Sequence, residues 1–209
     1  MADLAERRDL ERLVETAGPV DVLVSNAALP AGGTVETFSI AEIDRALDVN
    51  LRAGIVLSRS VVPAMRARRS GHVVFVSSLA AAFPTPGLTL YNATKAALTS
   101  YALSLRGELA PHGVGVSVVQ PGPIREAGMW ADTNLNPPKG LTTRSPVEVG
   151  NAVAHAIETN RAMVTVAPLG LRVAAVAGRA APTAVVRFAP RLGVYELTDA
   201  MAAALRHKR

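Results

Sequence analysis

The first pair of residues in this 209-residue chain that could do chemistry lies in the stretch GLTLYNATKAAL (87–98), where Tyr91 and Lys95 stand four positions apart. On a helix, positions i and i+4 share a face, so a phenol and an ammonium can be aimed at one point. A phenol with its ordinary pKa of about 10 is a poor acid–base catalyst at neutral pH. A fixed ammonium nearby favours the phenolate and draws that pKa down. The chain holds only three Tyr and three Lys, and such a pair arises by chance in about 4% of sequences so composed.

Two more polar side chains are candidates for the same point. Ser78 follows an apolar run, HVVFVSS, and its hydroxyl could hold a carbonyl oxygen beside the phenol. Asn50 interrupts the stripe Ile43, Leu47, Asn50, Gly54, Leu57, Val61, which repeats every three to four positions. A buried amide without a partner costs about 1–3 kcal/mol, so Asn50 needs a hydrogen-bonding role, structural or catalytic. As a catalytic group it could position a water behind the lysine. Together the four side chains are equipped to protonate an alkoxide as a hydride arrives, or to take the proton as a hydride leaves. No side chain supplies a hydride, so a cofactor is implied.

The elements that must position these residues alternate. VDVLVSN (20–26), HVVFVSS (72–78), VGVSVVQPG (114–122) and MVTVAP (163–168) lack polar alternation and read as strands buried on both faces. Between them lie four helical stretches. The one from Glu6 ends at Gly18, and the one from Ser39 opens with a Ser39/Glu42 capping box. The one from Tyr91 closes at Pro111 and Gly113, and the last opens with Ser145, Pro146 and Glu148. Strands alternating with helices give an α/β fold with a parallel sheet, whose ligands bind at the carboxyl ends of the strands. Asn26-Ala27-Ala28, Ser77-Ser78 and Pro121-Gly122 fall at those ends. Singly each has an ordinary reading as a cap, a turn or a helix breaker.

From about residue 2 to 168 the chain resembles the short-chain dehydrogenase/reductase family. Ser78 lies thirteen residues before Tyr91, YNATK fits Tyr-x-x-x-Lys, and DVNLRAG carries an asparagine at the family's helical position. SNAA stands for the usual Asn-Asn-Ala-Gly, and QPGPI matches the Pro-Gly loop. The resemblance implies a Rossmann-type doubly wound parallel sheet and NAD or NADP as cofactor. It implies Tyr91 as acid/base, Lys95 lowering its pKa and holding the nicotinamide ribose, Ser78 orienting the substrate oxygen and Asn50 supporting a proton relay. Cofactor contacts would come from Asp3 at the adenine, from Asn26, Ala27 and Ala28, from Tyr91 and Lys95, and from Pro121, Gly122 and Ile124. The implied reaction interconverts a secondary alcohol and a ketone.

The chain departs from the family pattern in three places. Ala28 replaces a glycine, and Glu126 stands where a threonine often holds the nicotinamide amide. The third departure is the glycine-rich turn that receives the pyrophosphate at a helix N-terminus. The first glycine here is Gly18. With Asp3 at the end of the family's third strand, three strands and two helices are expected upstream, about fifty residues. VDVLVSN would then form a bare sheet edge. Either the chain starts too late or it is a natural remnant that acts by dimerising with a complete relative. The complete set of catalytic residues favours the first.

Composition narrows the remaining classes. The absence of Cys excludes disulfides, zinc–thiolate sites and a cysteine nucleophile, and no metal site is expected. The net charge of +5 comes from scattered Arg, and aromatic residues are only 4%, so nucleic acid is not an expected partner. No membrane span or signal peptide is legible, which makes a cytoplasmic protein the default. Residues 1–168 read as the partial Rossmann catalytic domain and 169–209 as its C-terminal helical tail. That tail could be a subunit contact or an amphipathic segment on anionic lipid, but Pro182 and Pro190 interrupt it, so membrane contact is not expected. The irregular stretch 125–144, with Met129 and Trp130, would be a lid over a moderately apolar pocket opposite residues 79–90. A homodimer or homotetramer is expected through the helices carrying Asn50 and Tyr91.

Overall fold

Valine-rich runs make the sheet. In the computed structural model, which describes residues 2–137 and 142–208, the strands are β1 (Val22–Ser25), β2 (His72–Val76), β3 (Gly115–Pro121) and β4 (Met163–Val166). They form one sheet in the order β1-β2-β3-β4. Every pairing is parallel, with Val24 opposite Val74, Val74 opposite Ser117 and Val119 opposite Val164. The chain has the Rossmann-like α/β fold.

Helices cover both faces, because successive strand residues point to opposite sides. They are α1 (Arg7–Ala17), α2 (Ile40–Leu47), α3 (Ala53–Arg68), α4 (Thr89–Leu109), α5 (Met129–Asp132), α6 (Pro146–Glu158), α7 (Leu169–Ala180), α8 (Pro182–Phe188) and α9 (Val194–Leu205). Val73, Phe75, Val116 and Val118 pack against Val61 and Met65 of α3 and Leu98, Ala102, Leu105 and Leu109 of α4. Val74 and Val119 face the other way, onto Ala156 and Val153 of α6. Both capping boxes form as the sequence predicts, Ser39 with Glu42 and Ser145 with Glu148. Gly18 ends α1 at φ 64°, where only glycine is at ease.

Two sequence expectations need correction. β1 is not buried on both faces: Val22 and Val24 are 41% and 43% exposed, whereas Leu23 packs on Leu10 and Leu57. It is one of the two edge strands, covered on one side by α1 with α3; β4 is the other, and of its residues Val166 alone is buried, so it too lacks the two-sided burial expected. The stretch from Ser39 is not one regular helix either. A π-helical turn, Asp48–Arg52, separates α2 from α3. The extra residue rotates the stripe, leaving Leu47 38% exposed while Asn50 is buried at 2%.

Candidate active site

Lys95 is one of the most deeply buried side chains, with 2% of its surface exposed. It lies on the inner face of α4, and its Nζ donates to the Val76 carbonyl at the end of β2, 3.1 Å away. The ammonium stands 5.9 Å from the centroid of the Tyr91 ring. Burial lowers the Lys95 pKa from 10.5 to about 8. It also pushes the Tyr91 phenol above its ordinary value, and hydrogen bonding with the Ser78 side chain draws it part of the way back. Two polar groups in a dry pocket are thus both biased toward their neutral forms. The expected net lowering of the Tyr91 pKa is not met: burial dominates, and the phenol lies above its ordinary value.

Ser78 joins this pair at the start of the loop after β2, where its hydroxyl also accepts from the Ala80 N–H at 3.1 Å. Asn50 has a structural role. Its Oδ1 accepts from the Leu29 N–H at 2.6 Å and its Nδ2 donates to the Leu29 carbonyl at 3.0 Å. A longer contact, 3.5 Å, reaches Thr94 Oγ1 on α4. The amide therefore clamps the loop leaving β1 onto the π-helical turn. That satisfies the buried polar atoms which the sequence left open.

The cofactor candidates spread along the carboxyl ends of the strands. Asn26 and Ala27 are exposed after β1, and Ala28 is half-buried. Pro121 ends β3, and Gly122 and Ile124 follow it. Gly122 donates to the Val166 carbonyl at 3.0 Å, and Ile124 bridges to Arg144. Glu126 sits at φ 73° with its carboxylate on Arg125, 2.8 Å away. Asp3 stands apart from these groups. Its carboxylate accepts from the Ala5 N–H and pairs with Arg45 at 3.1 Å, both of which hold its pKa below the usual value. These are the residues that could hold a dinucleotide. The 209 residues provide no glycine-rich turn at a helix N-terminus for its pyrophosphate.

The sequence reading missed the far wall of the pocket. A narrow cavity of about 40 Å³ in front of Tyr91 is lined by Pro30, Ala31, Leu88 and Met129, and by Met201 and Leu205 of α9. Met129 belongs to the anticipated lid, of which residues 138–141 lie outside the described part. Trp130 is half-buried beside it. Lys208, just beyond α9, pairs with Asp132 of α5 at 2.7 Å. At Gly87, where φ is 77°, an added Cβ would lie 2.7 Å from Thr198 Cβ, so the loop before Tyr91 and α9 touch backbone to side chain. A roomier open groove on the outer end of α3, lined by Pro63, Arg66 and His112, contains none of the candidate residues.

A buried polar chain was also missed. Ser77 donates to the Lys95 carbonyl at 2.9 Å and meets Thr99 Oγ1 at 2.7 Å. Gln120, fully buried, reaches Thr99 at 3.5 Å and accepts from Arg179 of α7 at 3.0 Å. Its signal was an amide inside a valine run, VVQPG.

The fold is Rossmann-like, and it gathers Tyr91, Lys95 and Ser78 beside the end of β2. Residues 1–137 match the short chain dehydrogenase family. The ketoacyl reductase HetN of Nostoc sp. is 34% identical over 206 residues, which cover 94% of this chain and 72% of that protein. The chain belongs to the short-chain dehydrogenase family. Dehydrogenase/reductase SDR family member 4 of Homo sapiens is 39% identical over 137 residues, covering 62% of this chain and 49% of that one. The chain therefore spans about half the length of the human relative. A metagenomic short-chain oxidoreductase solved in complex with NADP is 29% identical, with a TM-score of 0.64, over 80% of this chain and 72% of the other.

Proposed function

We propose that the chain carries the alcohol/ketone site of an NAD(P)-dependent oxidoreductase, with Tyr91 as the acid/base. The observation that carries this reading is the buried Lys95 Nζ, 5.9 Å from the Tyr91 ring, with Ser78 hydrogen-bonded to the phenol. In the reducing direction the ketone oxygen takes the place between Ser78 and Tyr91. The Ser78 hydroxyl orients it by donating a hydrogen bond. The Tyr91 phenol gives its proton to that oxygen as the carbonyl carbon is reduced, and in the oxidising direction takes it back. Lys95 holds the nicotinamide ribose and stabilises the phenolate that remains. When bound, the nicotinamide supplies or accepts the hydride. Asp3, Asn26, Ala27, Ala28, Pro121, Gly122 and Ile124 are the further residues that would hold the dinucleotide. Asn50 supports the proton relay through the loop it clamps.

HetN is named a ketoacyl reductase and one solved relative holds NADP, which supports a carbonyl substrate and either NAD or NADP here. The apolar lining, Met129 and Met201 included, suits a small ketone or secondary alcohol. Residues 1–168 act as the catalytic unit and 169–209 as its helical tail. Assembly as a homodimer or homotetramer would use the outer faces of α3 and α4, where Leu103 remains 40% exposed.

The test is a titration of NADH and NADPH into the purified chain, followed by nicotinamide fluorescence, and then turnover of aliphatic ketones. Saturable binding of one cofactor with turnover supports the proposal. A folded chain that binds neither overturns it as a statement about this polypeptide.

A further inference from the structure

Helix α7 has its large residues on the outside. Leu169, Val173 and Val176, spaced to share one face, are 73%, 61% and 67% exposed. The opposite face is small and tightly seated. Ala175 is 4% exposed, and a Cβ on Gly178 would lie 2.6 Å from the Cβ of Phe83. A helix on an ordinary water-facing surface shows the reverse arrangement. The apolar surface continues onto α8, where Val186 and Phe188 are 43% and 47% exposed. The two helical arms, Leu169–Ala180 and Pro182–Arg191, meet at a 115° bend, and no single described helix is long and apolar enough to cross a membrane.

Charge decides what covers this face. Residues 169–192 contain four arginines, Arg172, Arg179, Arg187 and Arg191, and no Asp or Glu. Arg179 is engaged with Gln120, and the Arg191 guanidinium lies 5.4 Å from the exposed Phe188 ring. A second copy of the same face would set arginine against arginine, a self-complementary contact of like charges. A surface that is negative and apolar just beneath satisfies both features. We infer that α7 and α8 dock the protein flat on a bilayer of anionic lipid, with Leu169, Val173, Val176 and Phe188 entering the acyl boundary and Arg172, Arg187 and Arg191 meeting the head groups. On this proposal the prolines do not bar such a contact, as the sequence reading took them to. Pro182 stands at the bend and opens a second short arm, so it shapes an in-plane element instead of breaking one.

The experiment is co-sedimentation of the full chain with vesicles of phosphatidylcholine alone and of equimolar phosphatidylcholine and phosphatidylglycerol. The chain is expected to sediment with the anionic vesicles only and to be released by raised salt. Val173→Asp with Val176→Asp replaces exposed side chains, so folding is retained and checked by circular dichroism. Binding should fall about tenfold or more. Arg172→Glu with Arg187→Glu should lower it by a similar factor. A chain that stays in the supernatant with anionic vesicles overturns the inference, as does equal binding by the Val173/Val176 variant. Conversion of a dimer to a monomer by that variant without vesicle binding would make the face a contact between copies, and overturns it equally.

Discussion

Lys95 donates its buried ammonium to the Val76 carbonyl at 3.1 Å, tying α4 to the end of β2. The charge is held there against its desolvation, and the pKa falls from 10.5 to about 8. A lysine whose folded pKa is depressed is less protonated in the folded than in the unfolded state between those values. Its destabilising effect is complete below pH 8 and fades as pH rises toward 10.5, so stability from this group climbs across that window. Lys95→Met removes about 3 kcal/mol of penalty at pH 7. The Val76 carbonyl, losing its donor, takes back about 1 kcal/mol. Urea unfolding should show the variant about 2 kcal/mol more stable at pH 7 and flatter between pH 8 and 10, with turnover abolished.

Tyr91→Phe leaves the packing of α4 in place and deletes the proton. In a preparation that turns over a ketone, kcat should drop by about 10²–10⁴. Dinucleotide binding should change little. Retained turnover would remove Tyr91 from the chemistry.

Asn50→Leu exposes a different weakness. The Leu29 N–H and carbonyl lose both partners, at a cost of about 2–4 kcal/mol. Amide hydrogen exchange should quicken at Leu29 and its neighbours before it quickens in the sheet.

Much of this fold could be read in advance, and the reasons for the misses are specific. HVVFV and GVSVVQP are apolar at nearly every position, which only a strand covered on both faces requires, and both are buried except at Pro121, the last residue of the second. VLVS is equally apolar in sequence and forms the sheet edge anticipated there; its composition alone misread its burial, because exposure depends on neighbours that a run of four residues does not encode. The π-helical turn at Asn50 was illegible for a related reason: the amide it carries is bonded to the Leu29 backbone, 21 positions away. Tyr91, Lys95 and Ser78 meet, since two share a helix face and the third opens the loop after the adjacent strand. The α9 wall was not foreseen. VYELTDAMAAAL carries a weak apolar pattern, and its partner Gly87 lies more than a hundred positions upstream.

Gly87→Ala tests that wall directly. The residue would sit at φ 77° with its Cβ 2.7 Å from Thr198 Cβ, combining backbone strain with a collision. Destabilisation of about 1–3 kcal/mol is expected. Limited proteolysis should release the segment after Gly193 well before the sheet core is cut.

Leu205→Ala should cost about 2–4 kcal/mol, because the side chain is 4% exposed and faces the cavity. Met201→Ala enlarges the same space with a smaller loss. Turnover of a longer ketone should improve relative to a shorter one, and an unchanged preference would take Met201 out of substrate selection.

The cavity before Tyr91, about 40 Å³, has room for no more than a few waters. A ketone of the proposed class needs several times that space, and the wall facing Tyr91 is α9, fastened by the Lys208–Asp132 pair and the Gly87–Thr198 contact. Admission of the substrate by displacement of that wall would be a mechanical event with its own clock. Thickening the solvent with sucrose should slow kcat/KM of the intact chain, and cutting the Lys208–Asp132 tether should relieve part of that drag.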